Sequence, residues 1–222
     1  LAAEVLDPRF ELYAITDQKS SRGRSDLDIA KALIQGGVSC LQYRAKSVPA
    51  AEQHDMAKGL SRLCKEAGVT FIVNDRVDLA LECGADGVHL GQDDMPIQQA
   101  RQMAGPGFLI GRSTHSLAQA VQAWRQGADY IGFGPLYPTQ TKENNVPALG
   151  LEELSQAVAS VGIPLVAIGG IKLQHLASIA SEGARHVAAV TALTQADDVA
   201  EAAKHFRSAW RLAVRDQGRL HA

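Results

Sequence analysis

Two carboxylates, Asp75 and Asp94, each close a short apolar run of this chain, and Gln42, Arg44 and Lys46 alternate at the end of another. The carboxylates suit one hard divalent cation. Mg²⁺ typically takes one or two carboxylates and fills its remaining positions with water and phosphate oxygens. Left without a cation, such a pair repels, and one member tends to keep its proton. The plain alternative is that either Asp caps the helix that follows it. The sequence does not say which of Asp93 and Asp94 points inward. On an extended segment, alternation turns Gln42, Arg44 and Lys46 to one side. Two cations and an amide there suit a multiply charged phosphate, Arg as a planar fork and Lys as a point charge. Taken alone, those three also fit a solvated basic loop.

Asn74 precedes Asp75, and Ser113, Thr114 and His115 follow another apolar run. His115 fits a proton-transfer role and a plain helix start equally well. His89 lies inside an apolar run and reads as a packed, hydrogen-bonded core histidine. The strongest local signal is Gly134-Pro135-Leu136-Tyr137-Pro138-Thr139-Gln140-Thr141-Lys142. Its prolines stiffen a loop that ends in two hydroxyls and an ammonium, all able to donate to phosphate or carboxylate. The polar residues 143–147 then read as a cover that closes on substrate and excludes water from a reactive intermediate. Gly169-Gly170 and Val190-Thr191 close two more apolar runs, where barrels often hold phosphate through backbone N–H groups.

Groups so far apart in sequence converge if parallel strands release their C-terminal ends onto one face. Eight apolar runs fit, over residues 11–16, 38–43, 69–73, 85–90, 108–111, 128–133, 164–168 and 186–191. Helical spacing separates them, and turns such as Gly36-Gly37, Ala67-Gly68 and Gln126-Gly127 stop one helix just before the next strand. The pattern predicts a single (β/α)₈ TIM barrel, with residues 1–222 as one catalytic domain. Hydrophobic residues make up 46% and aromatics only 5%, so the core must be aliphatic, as suits strands buried on both faces. Asp86 and Asp129 fall at strand starts, where polar residues serve stability more often than chemistry.

A net charge of −2 argues against nucleic-acid or membrane partners, and no stretch approaches a membrane span. Cys40, Cys64 and Cys83 lack metal spacing and an even count, which favours burial as small hydrophobes. With no cleavable signal pattern, a reducing, cytoplasmic setting is expected. Small-molecule substrates are the expected partners, and a homo-oligomer is left open.

Together these residues resemble the thiamine phosphate synthase (thiamine-phosphate pyrophosphorylase) family over nearly the whole chain. The resemblance is carried by Leu12-Tyr13-Ala14-Ile15-Thr16-Asp17, Gln42-Tyr43-Arg44-Ala45-Lys46, Asn74-Asp75, Gly87-Val88-His89-Leu90-Gly91-Gln92, Asp94, the loop from Pro138 to Lys142, and Gly169-Gly170. It implies a transferase that joins a hydroxymethylpyrimidine diphosphate to a thiazole phosphate, giving thiamine phosphate and pyrophosphate. It further implies that Asp75 and Asp94 hold Mg²⁺ and that Gln42, Arg44, Lys46, Asn74 and Lys142 contact the pyrimidine diphosphate. Ser113 would lie near the pyrophosphate, so that Arg44, Lys46, Ser113 and Lys142 form the catalytic set. Thr139 and Thr141 would contact the thiazole, and Gly170 with Val190 and Thr191 its phosphate. Family members usually carry Ser where this chain has Thr191, a harmless change if the contact is made by backbone. Two rivals remain: the related thiazole tautomerase, an isomerase that would use His115, and a non-catalytic sensor of phosphate ligands.

Overall fold

The computed structural model describes residues 7–46, 48–139 and 147–220. Its strands are β1 (Leu12–Ile15), β2 (Cys40–Tyr43), β3 (Thr70–Asn74), β4 (Gly87–Leu90), β5 (Leu109–Thr114), β6 (Tyr130–Phe133), β7 (Leu165–Ala167) and β8 (His186–Ala189). Each pairs in parallel with the next, and β8 pairs with β1 to close an eight-stranded barrel. The helices are α1 (Asp26–Gln35), α2 (Ala50–Ala67), α3 (Val77–Glu82), α4 (Ile97–Ala104), α5 (Leu117–Arg125), α6 (Leu151–Ser160), α7 (Leu176–Ser181), the short α8 (Thr191–Thr194) and α9 (Val199–Leu220). This is a (β/α)₈ TIM barrel.

Alternate residues along the strands serve two cores. In β1, Leu12 and Ala14 pack with the helices, while Tyr13 and Ile15 join the interior cluster of Phe10, Ile72, Leu109, Tyr130 and Val166. Phe10 sits in a 3₁₀ turn ahead of β1 and is fully buried, its ring 4.4 Å from that of Tyr130. Burying such a side chain contributes about 2–3 kcal/mol, so this turn plugs the end of the barrel opposite the strand C-termini.

Local chemistry sets the connections. Ser25 caps α1 by accepting from Asp28 N–H at 3.1 Å, and Ser116 caps α5 by accepting from Gln119 N–H at 3.2 Å. Asp86 accepts from Phe71 N–H at 2.8 Å and Asp129 from Ile110 N–H at 2.7 Å. Both carboxylates therefore staple strand starts, away from the mouth.

Five strand limits differ from the sequence reading by two residues or more, among them the starts of β4, at Gly87 rather than residue 85, and of β6, at Tyr130 rather than residue 128. β2 begins at Cys40 rather than at residue 38, because Val38 N–H still bonds Leu33 O in the turn that closes α1. β5 extends past Gly111 to Thr114, where Arg112, Ser113 and Thr114 pair with Ile131, Gly132 and Phe133. Polar side chains hid this extension. β8 stops at Ala189, and Thr191 opens α8 instead of ending the strand.

Candidate active site

The C-terminal ends of β2, β3, β4 and β5 bring the carboxylates and several of the donors to one mouth. Asp75 follows β3 with φ of 63°, a left-handed conformation uncommon outside glycine. Its N–H donates to His89 O at 2.8 Å, and Arg76 N–H reaches back to Asn74 O, also at 2.8 Å. That tight three-residue turn costs of the order of 1–3 kcal/mol and aims the Asp75 carboxylate across the mouth. Lys46 Nζ lies 3.5 Å from Asp75 Oδ2. Asp94 is the inward member of its pair: it is half-buried and accepts from Gly91 N–H at 2.6 Å, whereas Asp93 is exposed.

Burial, and next the adjoining Asp94 carboxylate, push the Asp75 pKa up to about 6, against the pull of Lys46. Two carboxylates forced together in this way are what a divalent cation relieves. Among the described residues no three His, Cys, Asp or Glu side chains gather in a metal-binding group. The donor set therefore fits an ion that takes two carboxylates and completes its shell with water and substrate oxygens, as Mg²⁺ does.

The sign of the linkage follows from the raised value. In metal-free protein, the stabilisation that goes with the Asp75 proton is complete below the usual carboxylate range and is lost as pH rises through about 6. Metal-free protein is thus expected to lose roughly 1–2 kcal/mol of stability across this window. Asp75→Asn should lack that step. Thermal melts from about pH 4 to pH 8 in chelator check it, and parallel melting curves for the two proteins would contradict it.

Gln42, Arg44 and Lys46 climb the wall from interior to solvent: Gln42 is buried, the Arg44 side chain is 12% exposed and that of Lys46 57%. Arg44 Nη1 lies 3.1 Å from Asp17 Oδ1, and Ser20 Oγ donates to Asp17 Oδ2 at 2.5 Å. Asp17, just beyond β1, fixes the Arg44 fork, a role that the sequence reading did not assign. The signal was a lone acidic residue after a strand, opposite a cation on the next one. The same loop also supplies Arg24, which donates to Thr194 O at 2.7 Å, and Arg22, which donates to Gln195 O at 3.1 Å. These bonds tie the β1 loop to the C-terminal end of α8 and the residue that follows it.

Ser113 lies near the end of β5, with its Oγ 2.9 Å from His89 Nε2. His89 is buried, and its other nitrogen, Nδ1, lies 3.1 Å from Tyr130 Oη, the bonded core histidine that its apolar setting suggested. His115 braces two strand ends: its N–H donates to Gln119 Oε1 at 2.7 Å, and its Nδ1 lies 2.5 Å from Gly134 O.

Gly169 and Gly170 follow β7 with φ of 97° and 64°. A Cβ on Gly170 would lie 2.6 Å from Pro138 O and 2.8 Å from Tyr137 O. The close approach that this glycine allows is thus to the backbone of the β6 loop. Thr139 is exposed on that loop, while Thr141, Lys142 and the cover segment up to residue 146 lie outside the described residues. Val190 is the residue before α8 and Thr191 its first residue.

A closed parallel barrel whose polar groups gather at the strand C-termini is the architecture of a barrel enzyme. The family model described as thiamine monophosphate synthase matches residues 12–193. A thiamine-phosphate synthase of Chloroflexus aurantiacus is 45% identical over 93% of this chain and 94% of its own length. That of Pelotomaculum thermopropionicum is 43% identical over 89% and 91%. The structure of the thiamine phosphate pyrophosphorylase from Pyrococcus furiosus superposes with a TM-score of 0.87 at 36% identity, covering 93% of this chain and 98% of that one. A 3-hexulose-6-phosphate synthase at 17% identity and a TM-score of 0.67 shares the fold alone. The chain belongs to the thiamine-phosphate synthase family and is a transferase of thiamine biosynthesis.

Proposed function

We propose that this chain joins a hydroxymethylpyrimidine diphosphate to a thiazole phosphate, releasing thiamine phosphate and pyrophosphate. The observation that carries this reading is the mouth itself, where Lys46 stands 3.5 Å from Asp75 with Asp94 alongside, in a chain of this family. Asp75 and Asp94 would hold Mg²⁺, which when bound would supply neutralisation of the charge that builds on the departing pyrophosphate. Arg44, Lys46, Ser113 and Lys142 donate to the same oxygens, where that charge develops.

Gln42 and Asn74 hold the pyrimidine. Its methylene C–O bond breaks and the electron pair leaves with pyrophosphate, so the electron-rich aminopyrimidine carries a methylene cation. Thr139, Thr141, Gly170 and the Val190–Thr191 backbone hold the thiazole and its phosphate, so that the ring nitrogen meets that carbon and the new C–N bond forms. No protein nucleophile takes part. The barrel works as one catalytic domain, in the cytoplasm. No helix among the described residues is long and apolar enough to cross a membrane.

The test is chromatography of the products formed with both substrates together and with each alone. Thiamine phosphate is expected only from the pair. Isomerisation of the thiazole, with no joined product, would replace this reading with the tautomerase.

A further inference from the structure

A hydrogen-bonded chain runs across the barrel interior just below the mouth. Gln42 Nε2 donates to Tyr13 Oη at 2.7 Å, and Tyr13 Oη lies 2.9 Å from Tyr130 Oη. Tyr130 Oη lies 3.1 Å from His89 Nδ1, and His89 Nε2 lies 2.9 Å from Ser113 Oγ. Five strands contribute one residue each, and all five side chains are buried. The two ends, Gln42 and Ser113, are substrate groups in the reading above, on which this inference rests. The middle three have no role in it.

Two glycines make room for the chain. A Cβ on Gly111 would lie 2.2 Å from Cζ of Tyr130, and one on Gly132 would lie 3.3 Å from Cε1 of His89. Both glycines are paired within the barrel sheet, Gly111 opposite Tyr130 and Gly132 opposite Ser113. The aromatic rings therefore occupy space that any larger residue would deny them.

One direction along the chain uses every donor in it. An amide nitrogen donates and does not accept, so Tyr13 receives a hydrogen bond at the Gln42 end, and in this direction its single proton goes to Tyr130. Tyr130 passes its own to His89 Nδ1. A neutral imidazole that accepts at Nδ1 carries its proton on Nε2, and that proton goes to Ser113 Oγ. Burial pushes both phenols well above the usual tyrosine range, which keeps them protonated as donors.

We propose that Tyr13, Tyr130 and His89 are positioning residues that hold Ser113 Oγ as the acceptor from His89 Nε2–H. The Ser113 hydroxyl proton is thereby directed away from the imidazole, as a donor to the pyrophosphate oxygen that leaves. In this direction His89 Nε2 carries the proton, so His89 would not serve as a base for Ser113.

The test pairs NMR with kinetics. In protein labelled with ¹⁵N-histidine, the His89 signals are identified by their loss in His89→Gln, and they are expected to show a proton on Nε2 and none on Nδ1. Tyr130→Phe and Tyr13→Phe keep the rings and break the chain. Each is expected to lower kcat roughly tenfold, with KM for both substrates within about twofold of wild type, the scale of one misdirected hydrogen bond to a charged group. In a Ser113→Ala background, Tyr130→Phe should cost nothing further.

A His89 proton on Nδ1 would overturn the proposal, because the chain would then run the other way. So would Tyr→Phe variants that melt lower but turn over at the wild-type rate, or a Tyr130→Phe loss that persists without Ser113. Wild-type protein that makes no thiamine phosphate in the same assay would instead count against the reaction itself, and the tautomer measurement would still stand.

Discussion

Asp75→Ala and Asp94→Ala are each expected to lower kcat by a factor on the order of 10³, with the barrel intact. The Asp94 carboxylate adjoins that of Asp75, so losing either leaves the cation with one protein ligand. Neither side chain belongs to the apolar cores, and removing one also removes the repulsion that lifts the Asp75 pKa to about 6. The fold should therefore survive.

Asp75→Asn separates charge from shape. Asn tolerates the left-handed backbone at φ of 63° that Ala resists, so this variant should melt above wild type in chelator at neutral pH. Its turnover should still collapse. Circular dichroism with steady-state kinetics checks both, and full activity in either alanine variant would end the proposed metal role.

The second large effect is expected from Gly170→Ala. Its φ of 64° strains any side chain, and the new Cβ would meet Pro138 O at 2.6 Å and Tyr137 O at 2.8 Å. Those contacts are backbone, so a side-chain adjustment cannot relieve them. Loss of about 2–4 kcal/mol is expected from strain and overpacking together. The β6 loop that carries Thr139 must shift, which should raise KM for the thiazole phosphate tenfold or more, on the scale of about 1.4 kcal/mol per tenfold. KM for the pyrimidine diphosphate should change less, because Gln42, Arg44 and Lys46 stand on β2 and the loop that follows it. Calorimetry and kinetics with each substrate varied test this. A stable Gly170→Ala protein with wild-type KM for the thiazole phosphate would contradict it.

The barrel was legible because its strands are buried on both faces and read as aliphatic runs such as Phe71-Ile72-Val73. The polar residues at the run ends gave the candidate site for the same reason: in a parallel barrel, strand ends share one face. What stayed hidden depends on side-chain direction. Ser113 reads as a loop residue until pairing with Gly132 places it in β5. Asp93 and Asp94 are equivalent as letters, and only the bond from Gly91 N–H to Asp94 separates them. Tyr13 and Tyr130 look like core residues on two distant strands, and nothing in either segment announces that their hydroxyls meet at 2.9 Å. Asp17 likewise has meaning only through Arg44. Thr141 and Lys142 lie outside the described residues, and their roles rest on the motif.

The most direct measurement is pyrophosphate release by purified protein given both substrates, with Mg²⁺ and then with excess EDTA, and with thiamine phosphate followed in the same samples. The account predicts equal amounts of the two products with Mg²⁺, none with EDTA, and recovery when the metal is restored. Folded protein that binds thiazole phosphate yet releases no pyrophosphate with Mg²⁺ present, or that releases it as fast in EDTA, would contradict the account.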